Sequence, residues 1–131
     1  MSAVDHQRFA EIAAVLALYF DGLYHSDAST LAQVFHPQAI YACATQGSLN
    51  LMTMDAYLPM VAARPSPASR GEARLDRILS IEFAGPVTAL ARVECAIGEK
   101  SFTDLLSFVK LEGQWRIIAK VFHFDIAAPS S

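Results

Sequence analysis

The chain has 131 residues, of which 53% are hydrophobic and 18% charged, and its net charge at pH 7 is −3. This length predicts one domain over residues 1–131, and the acidic balance excludes a basic surface for nucleic acid. No apolar run reaches the roughly 18–20 residues of a membrane span, and the start of the chain lacks the basic residues of a signal peptide. Two cysteines cannot build a disulfide framework. We therefore expect a cytoplasmic protein, with buried free thiols and no contact with membranes.

Three helical patterns occupy the first half of the chain. Apolar residues three and four positions apart predict an amphipathic first helix. Asp27 is suited to cap a short second helix that passes through Leu31 and ends before Pro37. Thr53 is placed to cap the third helix, which two prolines follow. The first predicted helix covers residues 5–25, the second runs from after Asp27 to residue 35, and the third covers residues 54–63.

The second half of the chain has the pattern of strands. Its clearest signal is a C-terminal hairpin, in which two long runs of apolar and aromatic residues flank a short loop around Gly113. Residues 46–51 are predicted as a turn and residues 64–72 as a loop. The last five residues are expected to form a frayed tail. The predicted strands cover residues 38–45, 74–84, 87–98, 101–111 and 115–124.

Helices followed by a meander of strands predict an α+β fold, with three N-terminal helices on one face of a curved antiparallel sheet. The strands of the hairpin are apolar on both faces, so both faces need cover. The helices cover one face. A second copy, packed sheet to sheet about a two-fold axis, is the simplest cover for the other face. We therefore predict a homodimer through the outer face of the sheet.

Two runs of residues resemble the nuclear-transport-factor-2-like superfamily. One begins at Tyr19-Phe-Asp-Gly and continues through Asp27 to Phe35-His-Pro, and the other leads from Thr103-Asp-Leu-Leu to Lys120-Val-Phe-His. The resemblance covers about residues 5–124 and is closest to the SnoaL-like and putative lumazine-binding group. It implies a cone-shaped sheet closed by helices, the cystatin-like fold. This superfamily hosts isomerases, dehydratases, cyclases and binding proteins, so the fold alone does not fix the function.

A distant likeness to ketosteroid isomerase assigns three positions. That enzyme builds an oxyanion hole from a tyrosine and a protonated aspartic acid. The resemblance places the tyrosine at Tyr19 and the acid at Asp104, while the general-base aspartate falls on Cys43. It therefore implies both donors of an oxyanion hole without the carboxylate base.

Asp104, Tyr19 and His36 are the candidate catalytic residues. A neutral Asp104 could donate a hydrogen bond to a substrate oxygen, or it could be a structural partner for Lys120 or a backbone amide. Tyr19 could polarise a carbonyl group or serve as an aromatic core residue. His36 could act as an acid or base, or cap the last carbonyl groups of the short helix.

The candidate ligand-binding residues combine polar groups with an apolar wall. His123 is expected to share the apolar surface with Asp104, at the mouth of the cone or near the edge of the sheet. Cys43 could be a nucleophile beside a base, or an inert buried thiol. Methionines around the third helix suit an adaptable pocket wall. The set is Tyr19, Cys43, Met60, Asp104 and His123.

Two further patterns concern charged ligands. Four arginines between residues 64 and 77 could frame an anionic ligand at the pocket mouth, or they could lie on a solvated loop and strand edge. No histidines, cysteines or acids have the spacing of a metal site, so we expect neither metal nor cofactor.

Three functions remain open from the sequence. We favour a small-molecule-binding protein with an apolar cone pocket for an aromatic or polycyclic ligand. The second is a cofactor-independent cyclase, dehydratase or isomerase that uses Asp104 and His36. The third is a non-catalytic dimeric structural or accessory module with a filled cone. An open cavity beside Asp104 would separate the first two from the third.

Overall fold

A computed structural model describes residues 2–127 and contains three α-helices in its first half. The helix α1 begins with a capping box, in which the Ser2 hydroxyl accepts from the Asp5 amide and the Asp5 carboxylate accepts from Ser2. Asp27 caps α2 as predicted, because its carboxylate accepts from the Thr30 amide at 3.1 Å. The third helix, α3, has the predicted bounds. The helices are α1 (Ala3–Tyr24), α2 (Ala28–Val34) and α3 (Met54–Ala63).

Six strands form one sheet in the order β2-β1-β6-β5-β4-β3. Neighbouring strands are antiparallel except for β1 and β6, which are parallel, so the sheet is mixed and not wholly antiparallel as predicted. A short 3₁₀ helix, Ala68–Arg70, interrupts the predicted loop. The strands are β1 (Phe35–Cys43), β2 (Asn50–Thr53), β3 (Arg77–Phe83), β4 (Thr88–Ile97), β5 (Lys100–Leu111) and β6 (Gln114–Ile126).

Two local predictions differ from the structure. The strand β2 occupies part of the segment predicted as a turn, because residues 50–53 pair with β1. The strand β1 already begins at Phe35, so Pro37 lies within it. The proline is accommodated because the pairing of β1 with β6 is irregular between Phe35 and Ile40. The predicted frayed tail covers residues 127–131; the Ala127 amide donates to the Glu99 carbonyl at 2.8 Å, and the rest of the tail lies outside the described residues.

A bulge in the hairpin of β5 and β6 decides which side chains face the helices. Phe108 pairs with Ile117, but the preceding Ser107 pairs with Ala119. Ile118 is therefore an extra residue without a partner on β5. One extra residue shifts the inward and outward alternation of a strand by one position. The bulge consequently reverses the orientation of every β6 side chain that follows it.

The reversal separates two residues that the sequence placed together. Beyond the bulge, Asp104 pairs with Phe122, whereas His123 pairs with Thr103. Paired residues in an antiparallel ladder point to the same face. Asp104 therefore faces the helices and His123 faces away from them. The expectation that they share one surface is wrong, because the bulge is not visible in the apolar pattern.

The core lies between the helices and the inner face of the sheet. Tyr19 of α1 and Tyr57 of α3 are almost fully buried there, with Phe35, Leu106 and Phe108 from the sheet. These contacts confirm the α+β arrangement of helices over a curved, open sheet. Within residues 2–127, no helix combines the length and the hydropathy needed to cross a membrane.

Candidate functional site

A cavity of about 290 Å³ lies between α3 and the inner face of the sheet. Its volume is near the lower end of the range of ligand pockets, roughly 300–1,000 Å³. The bulge contributes to its wall, because it turns Lys120 and Phe122 inward. Five aromatic side chains line it, namely Tyr41, Tyr57, Phe102, Phe122 and Phe124.

Lys120 is the most deeply buried of the charged residues that line this cavity, and it is only 5% exposed. Its Nζ donates a hydrogen bond to the Tyr57 hydroxyl at 3.3 Å. The same Nζ lies 5.2–5.8 Å from the ring centres of Tyr19, Tyr41, Tyr57 and Phe122. Four aromatic faces at this range stabilise a cation through their quadrupoles.

The surroundings keep Lys120 charged. Burial lowers the pKa of the ammonium group, but the Tyr57 oxygen and the carboxyl group of Asp104 raise it by more, so the pKa lies above its ordinary value. Such an amine is a cation at neutral pH and a poor nucleophile. From the sequence, Lys120 was expected only as a possible partner for Asp104. The sequence signal for Lys120 was a lysine within an apolar strand, but the face of the sheet to which its side chain points depends on the bulge.

Tyr19 and Asp104 are joined to each other rather than exposed to the cavity. The Tyr19 hydroxyl donates to Oδ2 of Asp104 at 2.5 Å, and both residues are fully buried. Burial and the neighbouring Asp104 charge raise the pKa of Tyr19 well above its ordinary value, so the phenol remains a donor. Neither residue belongs to the cavity lining. The two implied donors of an oxyanion hole are therefore adjacent and closed off from this cavity.

The other candidate residues divide between the cavity and the surface. Cys43 and Met60 line the cavity. His36 lies in β1, where its Nδ1 accepts from the Gln38 amide at 3.0 Å, and it lines a separate surface pocket. His123 lies on the outer face. Its Nδ1 is 2.9 Å from the hydroxyl oxygen of Thr45, and its Nε2 is 2.9 Å from Oδ1 of Asp125. The structure thus brings two of the six candidates to the cavity and pairs two others beneath it.

The arginines between residues 64 and 77 are not equivalent. Arg70, Arg74 and Arg77 form ion pairs with nearby acids. Arg64 instead lines the cavity, together with Lys100. Polar side chains of the segment that joins β1 to β2 complete the mouth. They are Gln46, Ser48 and Asn50.

The cavity lining contains neither a carboxylate nor a histidine among residues 2–127. The same part of the chain contains no group of three His, Cys, Asp or Glu side chains able to hold a metal ion. The thiol of Cys95 is also in the lining, and burial raises its pKa to about 12. That thiol is therefore protonated and unreactive at neutral pH.

Comparison with known proteins identifies the family. The family model described as "Putative lumazine-binding" matches residues 7–123. The chain belongs to this family. The match covers both runs from which the superfamily resemblance was inferred, and a solved NTF2-like protein at 27% identity confirms the nuclear-transport-factor-2-like assignment.

Two solved structures share the fold over almost the whole chain. An NTF2-like protein of unknown function from Shewanella baltica has a TM-score of 0.83 at 22% identity, covering 97% of this chain and 99% of that one. Another from Methylobacillus flagellatus has a TM-score of 0.75 at 27% identity, covering 95% of each chain. These similarities confirm the architecture and leave the ligand open.

A local similarity links the chain to a curated enzyme. The aldolase FrzH of Cladobotryum sp. is 40% identical over 40 residues, which cover 29% of this chain and 32% of the aldolase. The match therefore spans about a third of that relative. It supports a common origin of one segment and does not carry the aldolase activity over to this chain.

Proposed function

We propose that this protein binds a small aromatic molecule in the cavity between α3 and the sheet. The observation that carries the proposal is the lining by five aromatic side chains. Aromatic walls offer large contact areas at fixed geometry and favour planar ligands through offset or edge-to-face contacts. An open cavity also argues against a structural module with a filled cone.

Binding is favoured over turnover because the cavity lacks an obvious acid–base group. A general base must lie within hydrogen-bond reach of the proton it removes. Asp104 is outside the cavity lining and accepts a hydrogen bond from Tyr19, and His36 lines a different pocket. Cys43 occupies the position that the ketosteroid isomerase resemblance gives to the base. A thiol there is a poor substitute for a carboxylate, so a cyclase, dehydratase or isomerase role has less support.

The cavity can be tested with two small aromatic probes, 2-naphthoate and 2-naphthamide. We expect at least one of them to bind the wild-type protein by isothermal titration calorimetry. Met60→Trp should weaken that binding at least tenfold. Met60 lines the cavity and is partly exposed, so a larger side chain at this position would fill the space that the probe occupies. Ala62→Trp is the matched control, since Ala62 is exposed on the same helix outside the lining.

Two results would contradict this proposal. The first is that neither probe binds the wild-type protein at millimolar concentration. The second is that both tryptophan variants bind the probe as tightly as the wild-type protein does. The first result would leave the cavity without an aromatic ligand of this size. The second would place the probe elsewhere on the surface.

We also propose that two copies associate through the outer face of the sheet. Leu105 and Val121 are cross-strand neighbours there and are 41% and 46% exposed. Ile40 and Leu90 extend the same face across β1 and β4 and are 43% and 36% exposed. Contiguous apolar side chains on a sheet face are typical of association surfaces. A second copy would bring the same residues together about a two-fold axis.

A further inference from the structure

We infer that the cavity selects an anionic ligand, a planar aromatic molecule whose carboxylate or comparable anionic oxygen contacts Nζ of Lys120. This inference rests on the proposed function and adds the charge and orientation of the ligand. The sequence left open an anionic ligand framed by arginines at the pocket mouth, but it did not assign Lys120 to the ligand. Three independent features of the cavity support it.

The first feature is the distribution of cations that lack an acidic partner. The chain has ten Lys and Arg residues. Within the described part of the chain, five of them form ion pairs with a carboxylate within 4.0 Å. Three of the other five line this one cavity, namely Arg64, Lys100 and Lys120. Unpaired positive charge is therefore concentrated where the ligand would lie.

The second feature is the absence of compensating negative charge in the lining between residues 2 and 127. A cleft lined by charges of one sign attracts ligands of the opposite sign, and low-dielectric walls strengthen the attraction. The cavity walls are largely aromatic, so they provide such a surrounding. A neutral ligand of the same shape would leave this attraction unused.

The third feature is the hydrogen-bonding capacity of Lys120. An ammonium group has three donors, and Nζ uses one of them on the Tyr57 hydroxyl. Because the Tyr57 oxygen accepts from Lys120, its own O–H can donate in another direction. Lys120 and Tyr57 both line the cavity, so their donors can converge on one anionic oxygen. Hydrogen bonds to an ionised acceptor are stronger than those between neutral groups.

Asp104 does not remove this capacity. Asp104 is a buried acid whose charge raises the pKa of the Lys120 ammonium group. However, none of its carboxyl oxygens lies within 4.0 Å of Nζ, and Oδ2 is engaged by Tyr19. The charge of Lys120 is thus stabilised from a distance while its donors stay available. This arrangement keeps a cation in an apolar cavity without a contacting carboxylate.

The mouth of the cavity adds a second positive region. Nε of Arg64 is buried and has no acceptor within the described residues. Nζ of Lys100 lies 4.7 Å from the ring centre of Phe124. Both cations lie in the same lining as Lys120, so their charges would favour the entry and binding of an anion.

The test compares 2-naphthoate with 2-naphthamide, which differ little in shape but differ in charge. We expect the wild-type protein to bind the carboxylate at least tenfold more tightly at pH 7 and low salt, by isothermal titration calorimetry. Lys120→Met should abolish that preference while retaining affinity for the amide. Arg116→Met is the charge-matched control, because Arg116 also lacks an ion pair within the described chain and lies outside the lining.

A second pair of variants guards against loss of folding in Lys120→Met. Arg64→Met and Lys100→Met change cavity cations that are at least partly exposed, and each should reduce the preference about threefold. Equal binding of both probes, with sensitivity to Met60→Trp, would overturn the anion inference and leave the proposed function intact. Failure of both probes to bind would overturn both. A carboxylate preference that survives all three substitutions would also overturn the inference.

Discussion

The hydroxyl group of Tyr19 donates a hydrogen bond to Oδ2 of Asp104 at 2.5 Å, and neither side chain is exposed to solvent. The other carboxyl oxygen, Oδ1, is buried and has no partner within the described residues. This bond joins α1 to the middle of β5. It gives the buried carboxyl group its one side-chain donor, so the bond has a structural role whatever the ligand.

We predict that Tyr19→Phe lowers the free energy of unfolding by about 1–3 kcal/mol, because it leaves a buried acceptor unsatisfied. Urea unfolding followed by circular dichroism measures the change. Tyr24→Phe is the matched control on the same helix, since the Tyr24 hydroxyl donates to the Glu72 carbonyl in a partly exposed position. Water can replace that donor. Equal losses in both variants would contradict a special role for the Tyr19 bond.

The acid sensitivity of α2 should depend on Asp27. Hydrogen bonds from the side chains of Ser29 and Thr30, and from the Thr30 amide, lower the pKa of Asp27 below its ordinary value of 3.8. The folded pKa is thus below the unfolded one. The stabilisation is therefore complete above about 3.8 and is lost as the pH falls through the folded pKa.

Asp27→Asn should therefore flatten the dependence of thermal stability on pH in the acidic range. Asparagine keeps a capping oxygen but has no carboxyl group to titrate. Thermal unfolding at a series of pH values measures the effect. Asp55→Asn is the control, because Asp55 accepts no side-chain hydrogen bond within residues 2–127. Parallel profiles for Asp27→Asn and the wild-type protein would disprove the link.

Gly22→Ala should destabilise the protein, although the same change in a helix interior ordinarily stabilises it by about 1 kcal/mol. A Cβ atom at Gly22 would lie 2.6 Å from Cδ2 and 2.7 Å from Cγ of the buried Leu31. Overpacking of this kind costs about 1–3 kcal/mol. The change tests the close approach of α1 and α2.

A double-mutant cycle makes this measurement specific. In a Leu31→Ala background the clashing atoms are absent, so Gly22→Ala should cost little or become stabilising. Chemical denaturation of the four proteins gives the coupling energy. A Gly22→Ala penalty of the same size in both backgrounds would show that contact with Leu31 is not its cause.

Leu105→Asp should convert the proposed dimer into a monomer. The substitution places a charge on the outer face next to Val121, where the second copy would pack. Leu105 is 41% exposed in one copy, so the change should preserve the fold. Sedimentation velocity should show the mass of two chains for the wild-type protein and one for the variant. Val4→Asp, at an exposed position of α1, should stay dimeric; a monomeric wild-type protein would refute the proposal.

Local signals in the sequence were sufficient for most of the fold. The cap at Asp27, the bounds of α3 and the C-terminal hairpin follow from side chains within a few residues of one another. The two motif runs carried the superfamily resemblance over nearly the whole chain. The strand β2 was missed because four residues in a Gly-containing segment resemble a turn, and only pairing with β1 makes them a strand.

The candidate site was less accessible from sequence. Cys43 and Met60 were placed in the pocket, and Tyr19 and Asp104 proved adjacent, but Lys120 was not selected as a site residue. The alternation of β6 predicts the opposite orientation for every residue after the bulge. Because Ile118 has no partner on β5, Lys120 faces inward and His123 faces outward, which is the reverse of the orientation that the alternation of β6 predicts.

The sequence by itself determined the helices and the hairpin, because caps, turns and apolar spacing are local properties, and its two motif runs resembled the family that the family model then identified. Only the tertiary structure decided the register of β5 against β6 and the sign of the charge in the cavity. Register depends on how the helices and neighbouring strands together fill the core, and a bulge of one residue is stabilised by that packing. The side of the sheet on which a charge lies is therefore fixed by the whole fold rather than by its neighbours in the chain.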